Sequence, residues 1–535
     1  MAHNTPVALA ALALALCSGA LARTVQLEAP AEAQRYDVAE FVLRVAQPVA
    51  KNPFTDVVLH GEFSLPGEQA ISVQGFCDSP EGTVFRLRFC PEAAPATYRY
   101  RISFRDPAGE ERFSGELRAL PGPLPGPVVV NPEHRKHFIY KGTAKTFYHL
   151  GFTAYHLLDP SNDEAQIRAT IDYCAEHGFN KIRFLLAGYP RDTDRRPRSA
   201  QRPGKPGDWK APNYGAPPGE VNPLPAWLGR PHAYDFTRFD VEHWRRAERA
   251  VRYMRDRGIV ATCIFTIEKQ RLPQEYGKLS EAEYRFYAYA IARLAAFCNV
   301  WWDLGNEHNE YRDKAWGDTM GAFVKQCDPY DRLASAHAYA DFWYSNSPWA
   351  DFIITQQYGT EQEVNAWALK YWSVPKPYVN EEYGYEGAAD KPGHGQNADW
   401  VRRCHWSIAL AGGYATYGDW HDAAFYIGEP GPGKAPRQLK LLRQFFEALP
   451  VAEMVPRNEL IEGGFCLARP GELYVFYLPR GGQAKLSLPQ RPALSARWFN
   501  PRTGQWLDRP GTLSGIVAPS APDERDWVLL ARVAQ

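Results

Sequence analysis

Two glutamates, each at the end of a short apolar run, are the residues of this sequence best suited to acid–base chemistry. Glu307 closes the run Val300–Glu307, and Glu382 closes the run Tyr378–Glu382. Short apolar runs of this length predict buried β-strands, so each carboxyl group is expected where a strand ends. Two carboxyl groups at one site can supply a proton donor and a nucleophile or base, which is what cleavage of a glycosidic bond requires. The pair therefore predicts a glycoside hydrolase.

The region from about 128 to 449 alternates such strands with amphipathic helices, which predicts a parallel sheet, and eight repeats predict a closed (β/α)8 TIM barrel. Glu307 and Glu382 then follow the fourth and seventh strands, whose carboxyl ends meet on the active-site rim, with carboxyl groups ~5–5.5 Å apart. The eight predicted strands are Phe147–Gly151, Lys181–Leu186, Ile259–Phe265, Val300–Leu304, Leu333–Ala336, Phe352–Gln356, Tyr378–Glu381 and Gly413–Tyr417.

Two β-rich regions flank this barrel and make the predicted fold multidomain. Residues 23–122 alternate polar and apolar residues over short runs with frequent turns, which is typical of an Ig-like β-sandwich. A segment rich in Pro and Gly, residues 120–127, marks the boundary with the barrel, which spans 128–449. Residues 450–535 predict a second, smaller β-sandwich.

The amino terminus predicts a secretory signal peptide. An apolar stretch leads to Ala20–Ala22, and we expect cleavage after Ala22, so that residues 1–22 are removed and the protein is secreted or periplasmic. No later stretch reaches the ~20 apolar residues that a membrane span requires. The net charge is zero, which gives no indication of nucleic acid or an anionic membrane as partner.

Composition adds two expectations about the folded chain. The sequence has 13% aromatic residues, which suits both large cores and stacking against sugar rings. Eight cysteines follow the signal peptide without metal-like pairing, and their even number permits disulfides in a secreted protein. Four of them are expected to be buried thiols because they lie in predicted helices or strands: Cys174, Cys263, Cys298 and Cys327.

A basic insertion follows the second predicted strand, from about 187 to 235, and Arg195, Arg196, Arg198 and Arg202 lie within it. Loops after barrel strands face the active site, so these side chains could line a cleft for an acidic sugar. The alternative is an ordinary solvated surface loop.

The residues around the first glutamate resemble a known group of enzymes. Gly305–His308 is similar to the segment that ends the fourth strand in glycoside hydrolases of clan A. The resemblance implies that Glu307 is the general acid/base and that Asn306 binds the sugar 2-hydroxyl. Glu382–Gly384 resembles the segment around the nucleophile of that clan, which implies that Glu382 is the nucleophile. Neighbouring strand residues point to opposite faces, so Glu381 is expected to face the helix layer or the rim.

A longer segment, Asn380–Gly387, resembles the apiosidase-like branch of that clan. Tyr383 stands where that pattern has Pro, so apiose itself is not implied as the substrate. Segments outside the barrel resemble the flanking domains of relatives. Gly75–Asp78 and Arg88–Pro91 are similar to an N-terminal sandwich, and Tyr474–Arg480 and Ala496–Gly504 to a C-terminal domain labelled as collagen-binding.

The resemblance also implies roles for other strand-end residues. Arg183 matches an arginine that hydrogen-bonds the nucleophile, here Glu382, and an ordinary salt bridge is the alternative. Tyr358 matches a residue that orients the nucleophile. Trp420 fits the platform under the sugar at the cleaved bond, and His337 is either a subsite residue or a core histidine.

The sequence indicates no cofactor and no metal. It lacks a His-Glu-x-x-His motif, a phosphate-binding loop and a G-x-S-x-G elbow, and its histidines are scattered. His149 and His156 near the first strand are further polar candidates for the site.

These features together predict a secreted, retaining glycoside hydrolase that acts on a plant or microbial poly- or oligosaccharide. Glu382 would attack the anomeric carbon while Glu307 protonates the leaving oxygen, and water would then release the product. The alternative is a non-catalytic carbohydrate-binding protein on the same scaffold. The sugar, the linkage and the choice between exo and endo action stay open.

Overall fold

The computed structural model describes residues 23–160, 162–188, 224–230, 233–266, 276–387, 396–420 and 433–533. The predicted signal peptide and the arginines at 195–202 therefore lie outside the described residues. Within these ranges, none of the helices has the length and apolar character to cross a membrane.

The N-terminal region forms two mostly antiparallel sheets around one core. Alternate residues of a strand point to one face, and Phe41, Leu43 and Val45 accordingly turn inward while the residues between them are more exposed. Phe41 meets Phe63 of the other sheet with ring centroids 5.3 Å apart. The strands are β1 Thr24–Glu28, β2 Glu32–Gln34, β3 Ala39–Ala46, β4 Val58–Ser64, β5 Ile71–Gln74, β6 Phe76–Cys77, β7 Val84–Phe89, β8 Ala96–Asp106 and β9 Gly109–Leu120, in the orders β1-β3-β7-β6 and β2-β9-β8-β4-β5.

The central region is a nine-stranded parallel sheet with helices between most of its successive strands. Its strands are β13 Leu150–Thr153, β14 Lys181–Leu185, β17 Val260–Ile264, β18 Val300–Asp303, β19 Ala334–Ser335, β20 Ala338–Tyr339, β21 Ile353–Gln356, β22 Tyr378–Asn380 and β23 Tyr414–Tyr417. The sheet order is β19-β18-β17-β14-β13-β23-β22-β21-β20, so the two edge strands are consecutive in the chain and separated only by Ala336 and His337.

Seven α-helices accompany these strands in the described chain: α1 Glu164–Glu176, α2 Val241–Asp256, α3 Glu281–Leu294, α4 Lys314–Cys327, α5 Glu361–Lys370, α6 Ala398–Leu410 and α7 Ala435–Glu447. Asp240 caps α2 and Ser280 caps α3 through side-chain oxygens that accept backbone N–H bonds, as their sequences predict. A hairpin, β15 Trp227–Arg230 and β16 Ala233–Phe239, precedes α2.

Each predicted strand overlaps a strand of the sheet, but β20 was not predicted and the first strand is shifted. The first strand was expected at Phe147–Gly151, but β13 covers Leu150–Thr153. Phe147 instead ends β12, Thr146–Phe147, and pairs antiparallel with Phe138 of a separate small sheet. A continuous apolar run carries no signal for where one strand stops and the next begins, so the prediction merged the two.

The small sheet closes the amino-terminal end of the parallel sheet. Its strands are β10 Val128–Val130, β11 Phe138–Tyr140 and β12 Thr146–Phe147. The ring of Phe138 is fully buried and lies 5.0 Å from that of Trp301, 5.9 Å from that of Phe352 and 5.5 Å from that of Tyr414. Because aromatic rings fill this end, polar side chains collect at the carboxyl ends of the strands.

The C-terminal region is a six-stranded antiparallel sheet with a small two-stranded sheet beside it. Its strands are β24 Val455–Pro456, β25 Phe465–Arg469, β26 Leu473–Leu478, β27 Leu486–Ser487, β28 Leu494–Phe499, β29 Trp506–Leu513, β30 Ile516–Val517 and β31 Trp527–Val533. The sheet packs on α6, where Trp406 stacks on Tyr477 at 5.6 Å. Arg402 of α6 donates two hydrogen bonds, of 2.8 and 2.7 Å, to the buried Asp526 carboxylate.

The eight described cysteines are all free. Cys174, Cys263 and Cys298 are buried, as expected, whereas Cys327 is only partly buried at the end of α4.

A buried ionic cluster joins the N-terminal region to the helices of the central sheet. Arg293 of α3 donates to Asp78 at 2.8 Å and to Glu248 of α2 at 2.5 Å, and Arg88 of β7 donates to Glu248 at 2.8 Å. Burial by itself would raise the pKa of Glu248, but the charges of Arg293 and Arg88 outweigh it and hold the pKa at about 2. The cluster is therefore ionised and stabilises the contact between the two regions.

We predict that Glu248→Gln lowers the free energy of unfolding by about 3 kcal/mol, because it leaves two buried guanidinium groups without their shared counter-ion. The pKa of Glu248 in the folded protein is below its ordinary value of 4.5. The contribution of Glu248 to the free energy of unfolding is therefore complete above pH 4.5 and is lost as the pH falls toward 2. Urea unfolding should therefore separate variant and parent clearly at neutral pH and much less near pH ~3.

The matched control is Glu242→Gln on the same helix, where the side chain is 67% exposed and pairs with Arg249. We expect a loss below about 1 kcal/mol there. Equal losses for the two variants would contradict the role assigned to the cluster.

Candidate active site

Glu382 lies two residues beyond the end of β22, and its buried carboxylate accepts hydrogen bonds from three uncharged donors. Tyr155 donates from beyond β13 at 3.1 Å, and Gln356 donates from the end of β21 at 3.0 Å. Tyr358 donates a third, short hydrogen bond. The three donors come from two different strand ends, so the carboxylate is fixed in position by the sheet itself.

Asn306 and Glu307 follow β18 on the same end of the sheet. The Asn306 side-chain oxygen accepts a hydrogen bond from Arg183 at 2.8 Å and lies 2.9 Å from the Tyr155 hydroxyl, whose single proton is shared between this oxygen and the Glu382 carboxylate. Two donors on the oxygen fix the amide orientation and leave the amide nitrogen without a partner among the described residues. That nitrogen is available to donate to a ligand.

Glu307 has a left-handed backbone conformation, with φ 48° and ψ 36°, and starts the short 3-10 helix His308–Glu310. A non-glycine residue in this region carries strain of about 1–3 kcal/mol, and such strain concentrates at functional sites. The side chain is partly exposed, unlike the fully buried strand before it.

The Tyr358 hydroxyl donates a short hydrogen bond to Glu382. Burial raises the pKa of Tyr358 well above its ordinary value, and the charge of Glu382 raises it further, with a smaller contribution from Glu307. Glu307 follows β18 and Glu382 follows β22, and the Tyr155 hydroxyl lies between Asn306, the chain neighbour of Glu307, and the Glu382 carboxylate.

Arg183 of β14 does not hydrogen-bond Glu382 directly, which corrects the role that the resemblance implied. It donates to the Tyr155 hydroxyl at 3.2 Å, and that hydroxyl lies 3.1 Å from Glu382. The guanidinium also lies 3.6 Å from Asp303. The reason is the intervening tyrosine, which occupies the space between the arginine and the carboxylate.

His337 is fully buried between β19 and β20, with its Nδ1 2.6 Å from an Arg183 nitrogen. Burial lowers the pKa of His337 well below its ordinary value, and the Arg183 charge lowers it further. The ring is therefore neutral, Nδ1 accepts the hydrogen bond, and Nε2 carries the proton. His337 contacts the arginine that orients Asn306.

Asp303, at the end of β18, fixes the backbone next to this histidine. Its Oδ1 accepts hydrogen bonds from the N–H groups of Gly305 and His337, both at 3.1 Å. Burial raises the pKa of Asp303 to about 6, although the Arg183 charge opposes that shift. The residue thereby joins the fourth and fifth strand ends.

Glu381 is buried in an ion pair, which corrects the prediction that it faces the helix layer or the rim. It accepts hydrogen bonds from Lys181 of β14 and Thr416 of β23. Lys181 lies on the same strand face as Arg183, whose side chain reaches the site. The alternation rule failed because β22 ends at Asn380, so both glutamates lie beyond the regular strand.

The Glu381–Lys181 pair is ionised. Burial by itself would raise the pKa of Glu381, but the positive charges of Lys181 and Arg183 outweigh it and hold the pKa well below its ordinary value. Burial also lowers the pKa of Lys181, and the Glu381 charge opposes that shift. His149 lies in the same buried layer, stacked on Trp301 at 6.2 Å, rather than at the site.

An aromatic cluster lies beside Glu382 at the strand ends. Trp420 packs against this cluster, with its ring 5.7 Å from that of Tyr385. Burial raises the pKa of Tyr385, and the charge of Glu382 raises it further. His156, also after β13, lies 3.6 Å from Asp159 and is buried. The cluster gives the site an apolar wall.

Two residues of the Asn380–Gly387 segment have structural partners away from the site. Tyr383 is fully buried, with its hydroxyl 3.1 Å from a ring nitrogen of His405 on α6. Glu386 accepts hydrogen bonds from the backbone N–H groups of Lys434 and Ala435 at the start of α7, where a negative charge is favoured. Tyr383, which replaces the Pro of the apiosidase-like pattern, therefore has its side chain packed against α6.

Sequence reasoning missed three residues of the site: Tyr155, Gln356 and Tyr339. Tyr155 and Gln356 follow apolar strands, as do the residues that were predicted, so that position was the available signal. The ring of Tyr339, on β20, is 48% exposed, and its backbone bonds the Asn309 side chain at 2.8 and 2.7 Å. It stands beside the turn that carries Glu307.

In the described chain, no group of three or more His, Cys, Asp or Glu residues could hold a metal ion.

We predict that Glu381→Gln lowers the free energy of unfolding by about 3 kcal/mol, because the Lys181 charge then lies buried without its partner. Replacing both partners, Lys181→Met with Glu381→Gln, should recover most of that loss. Urea unfolding of the two variants and the parent measures both effects. A single variant as stable as the parent would contradict the ion pair.

Comparison with known proteins gives two domain matches. The apiosidase-like catalytic domain matches residues 133–424, and a domain of unknown function (DUF5060) matches residues 32–105. None of the curated proteins matches the chain.

A solved structure shares the fold of this chain. A candidate glycoside hydrolase from Bacteroides vulgatus has 21% identity and a TM-score of 0.75, over 94% of this chain and 100% of that chain. A β-glucuronidase from Ruminococcus gnavus has 12% identity and a TM-score of 0.40, over 79% of this chain and 67% of that chain. The first similarity concerns the fold alone at this identity, and the second is too low to support an argument.

The catalytic-domain match carries the assignment. It contains all of the site residues described above, from Tyr155 to Trp420, and it covers more than half of the 535 residues. The chain belongs to the apiosidase-like family.

Proposed function

We propose that this protein is a glycoside hydrolase that cleaves O-glycosidic bonds. The observation that carries the proposal is the Tyr155 hydroxyl, which lies 2.9 Å from the side-chain oxygen of Asn306, the chain neighbour of Glu307, and 3.1 Å from the Glu382 carboxylate, in a chain of the apiosidase-like family. Two carboxyl groups at one site can divide the roles of nucleophile and acid/base.

The proposed mechanism is a double displacement with retention of configuration. Glu382 attacks the anomeric carbon, and the bond to the leaving oxygen breaks as Glu307 transfers its proton to that oxygen. In the second step Glu307 takes a proton from water, whose oxygen attacks the anomeric carbon and releases Glu382. Three donors hold the Glu382 carboxylate in place, which supports its assignment as the nucleophile.

Other residues at the strand ends take binding and positioning roles in this proposal. The free amide nitrogen of Asn306 donates to a sugar hydroxyl, with its orientation held by Arg183 and Tyr155. His337 holds Arg183 in turn. Trp420 supplies an apolar face for the sugar at the cleaved bond, and the exposed ring of Tyr339 offers a surface for a sugar on the leaving-group side. Tyr358 orients Glu382.

The architecture we propose is a (β/α)8 TIM barrel of clan A, closed where β19 and β20 form the two halves of a fifth strand. An Ig-like β-sandwich at 23–122 and a small β-sandwich at 450–535 would flank the barrel at 128–449. We further propose secretion, with the signal peptide cleaved near Ala22, on the sequence of residues 1–22 alone.

A glycan panel tests the activity. The purified protein is incubated with plant and microbial poly- and oligosaccharides, and new reducing ends are measured. Release from at least one glycan, abolished in Glu382→Ala, supports a hydrolase. Binding to a glycan without release in any sample would favour the alternative, a carbohydrate-binding protein without catalysis.

We predict that Glu382→Ala reduces turnover of the best panel substrate by at least about a thousandfold, because the nucleophile is lost. Azide should restore activity by entering the vacated space, and the product should be a glycosyl azide of inverted configuration, which NMR identifies. The comparison variant is Glu307→Ala, where azide should yield a glycosyl azide of retained configuration. The reverse pattern of products would exchange the two roles.

We predict that the loss of rate in Glu307→Ala depends on the leaving group of the substrate, because only poor leaving groups need a proton from the enzyme. Glycosides with an alkyl or sugar leaving group should lose about 10²–10⁴-fold in rate, whereas aryl glycosides with acidic phenols should lose much less. A plot of kcat/KM against leaving-group pKa measures the difference. An equal loss across the series would remove Glu307 from the acid role.

A further inference from the structure

A groove separates α7 from the C-terminal sheet, outside the site described above. Its volume is about 450 Å³, and residues of β28, β29 and β31 form one wall while the second half of α7 forms the other. The polar groups along it are Gln444, Ser495, Arg497 and Arg532. Most of these side chains are exposed rather than part of the packed interface.

The floor of the groove is aromatic. Trp506 lies 4.9 Å from Phe499 and 5.8 Å from Phe445, measured between ring centroids. Trp506 is nonetheless 37% exposed, although indole rings in a domain core are normally covered. An aromatic surface open to solvent between polar groups suits the C–H faces of a sugar ring.

Two guanidinium groups stand over this floor. In the pairing of β28 with β31, Ser495 lies opposite Arg532 and Arg497 lies opposite Leu530, so the two arginines are diagonal neighbours on one sheet face. Arg497 pairs with Asp508 at 2.6 Å and lies over the Trp506 ring at 5.0 Å. The backbone of Arg532 pairs with β26 and β28, but its guanidinium has no ion-pair or hydrogen-bond partner among the described residues.

We propose that this groove is a second carbohydrate-binding site, separate from the catalytic one, and that it takes a glycan bearing uronic acids. The sugar rings would cover the aromatic floor, and a uronate carboxylate would accept the two parallel hydrogen bonds that a guanidinium fork donates. Arg532 is the anchor, because its charge is not already neutralised by a carboxylate of the described chain. The site would hold the protein on an acidic polysaccharide.

The test measures binding without turnover, using the full chain with Glu382→Gln as the parent and polygalacturonate as the probe. Affinity gel electrophoresis should show retardation of the parent that weakens as salt rises. Arg532→Met should weaken the apparent Kd at least about tenfold, because a hydrogen-bonded charge pair is lost. Arg532→Lys should recover only part of it, since an ammonium lacks the planar fork.

The control variant is Arg525→Met, which removes another exposed guanidinium of the C-terminal region, one that pairs with Asp523 and does not line the groove. It should bind as the parent does. With hydroxyethyl cellulose, a neutral polysaccharide, Arg532→Met and the parent should show the same mobility.

Three results would overturn the proposal: no retardation of the parent by polygalacturonate, equal binding of Arg532→Met and the parent, or equally strong binding of polyglutamate. The last would show that the groove recognises charge on a peptide as well as on a sugar. A failure here is distinct from a failure of the proposed hydrolase activity, because the binding assay requires no cleavage.

Discussion

Arg183 is a positive charge with no exposure to solvent, and the arrangement of the site follows from the need to surround it with acceptors. A buried guanidinium is tolerated only when its N–H groups find partners and its charge finds a counter-charge. Burial by itself would lower the pKa of Arg183, but the acidic groups around it, including Glu381, Asp303 and Glu382, outweigh burial and raise it. Those groups lie at the ends of β18 and β22, so one side chain on β14 has counter-charges from two other strand ends.

The need for a counter-charge applies equally to a second buried cation on β14, Lys181. Lys181 precedes Arg183 by two residues and therefore points to the same face, where Glu381 neutralises it. Glu381 and Glu382 are adjacent in the chain and chemically identical, yet one is held in an ion pair with an ammonium and the other accepts bonds from uncharged donors. The surroundings distinguish the two carboxylates: Glu381 is neutralised by a buried ammonium, whereas Glu382 is held by neutral hydroxyl and amide donors.

The flanking regions are attached by two different kinds of contact. The N-terminal region is joined through the buried arginines and carboxylates around Glu248 and Asp78. The C-terminal sheet is joined mainly by aromatic stacking on Trp406, together with one bidentate pair between Arg402 and Asp526. Among the described residues, both of these contacts are made with helices of the central region rather than with the strand-end residues around Glu382.

The sequence by itself determined the order of strands and helices and the two glutamates, because apolar runs ending in polar residues are local patterns that survive in any fold with buried parallel strands. It also indicated Asn306, Arg183 and Tyr358 as strand-end residues. What the tertiary structure decided was which partners these residues have. Tyr155 stands between Arg183 and Glu382, Glu381 turns inward to Lys181, and Tyr383 packs on α6. Each of these contacts joins residues far apart in the chain or lies past a strand end, where alternation no longer fixes the direction of a side chain. Contacts of that kind depend on how the strand ends converge, and no local pattern in the sequence encodes them.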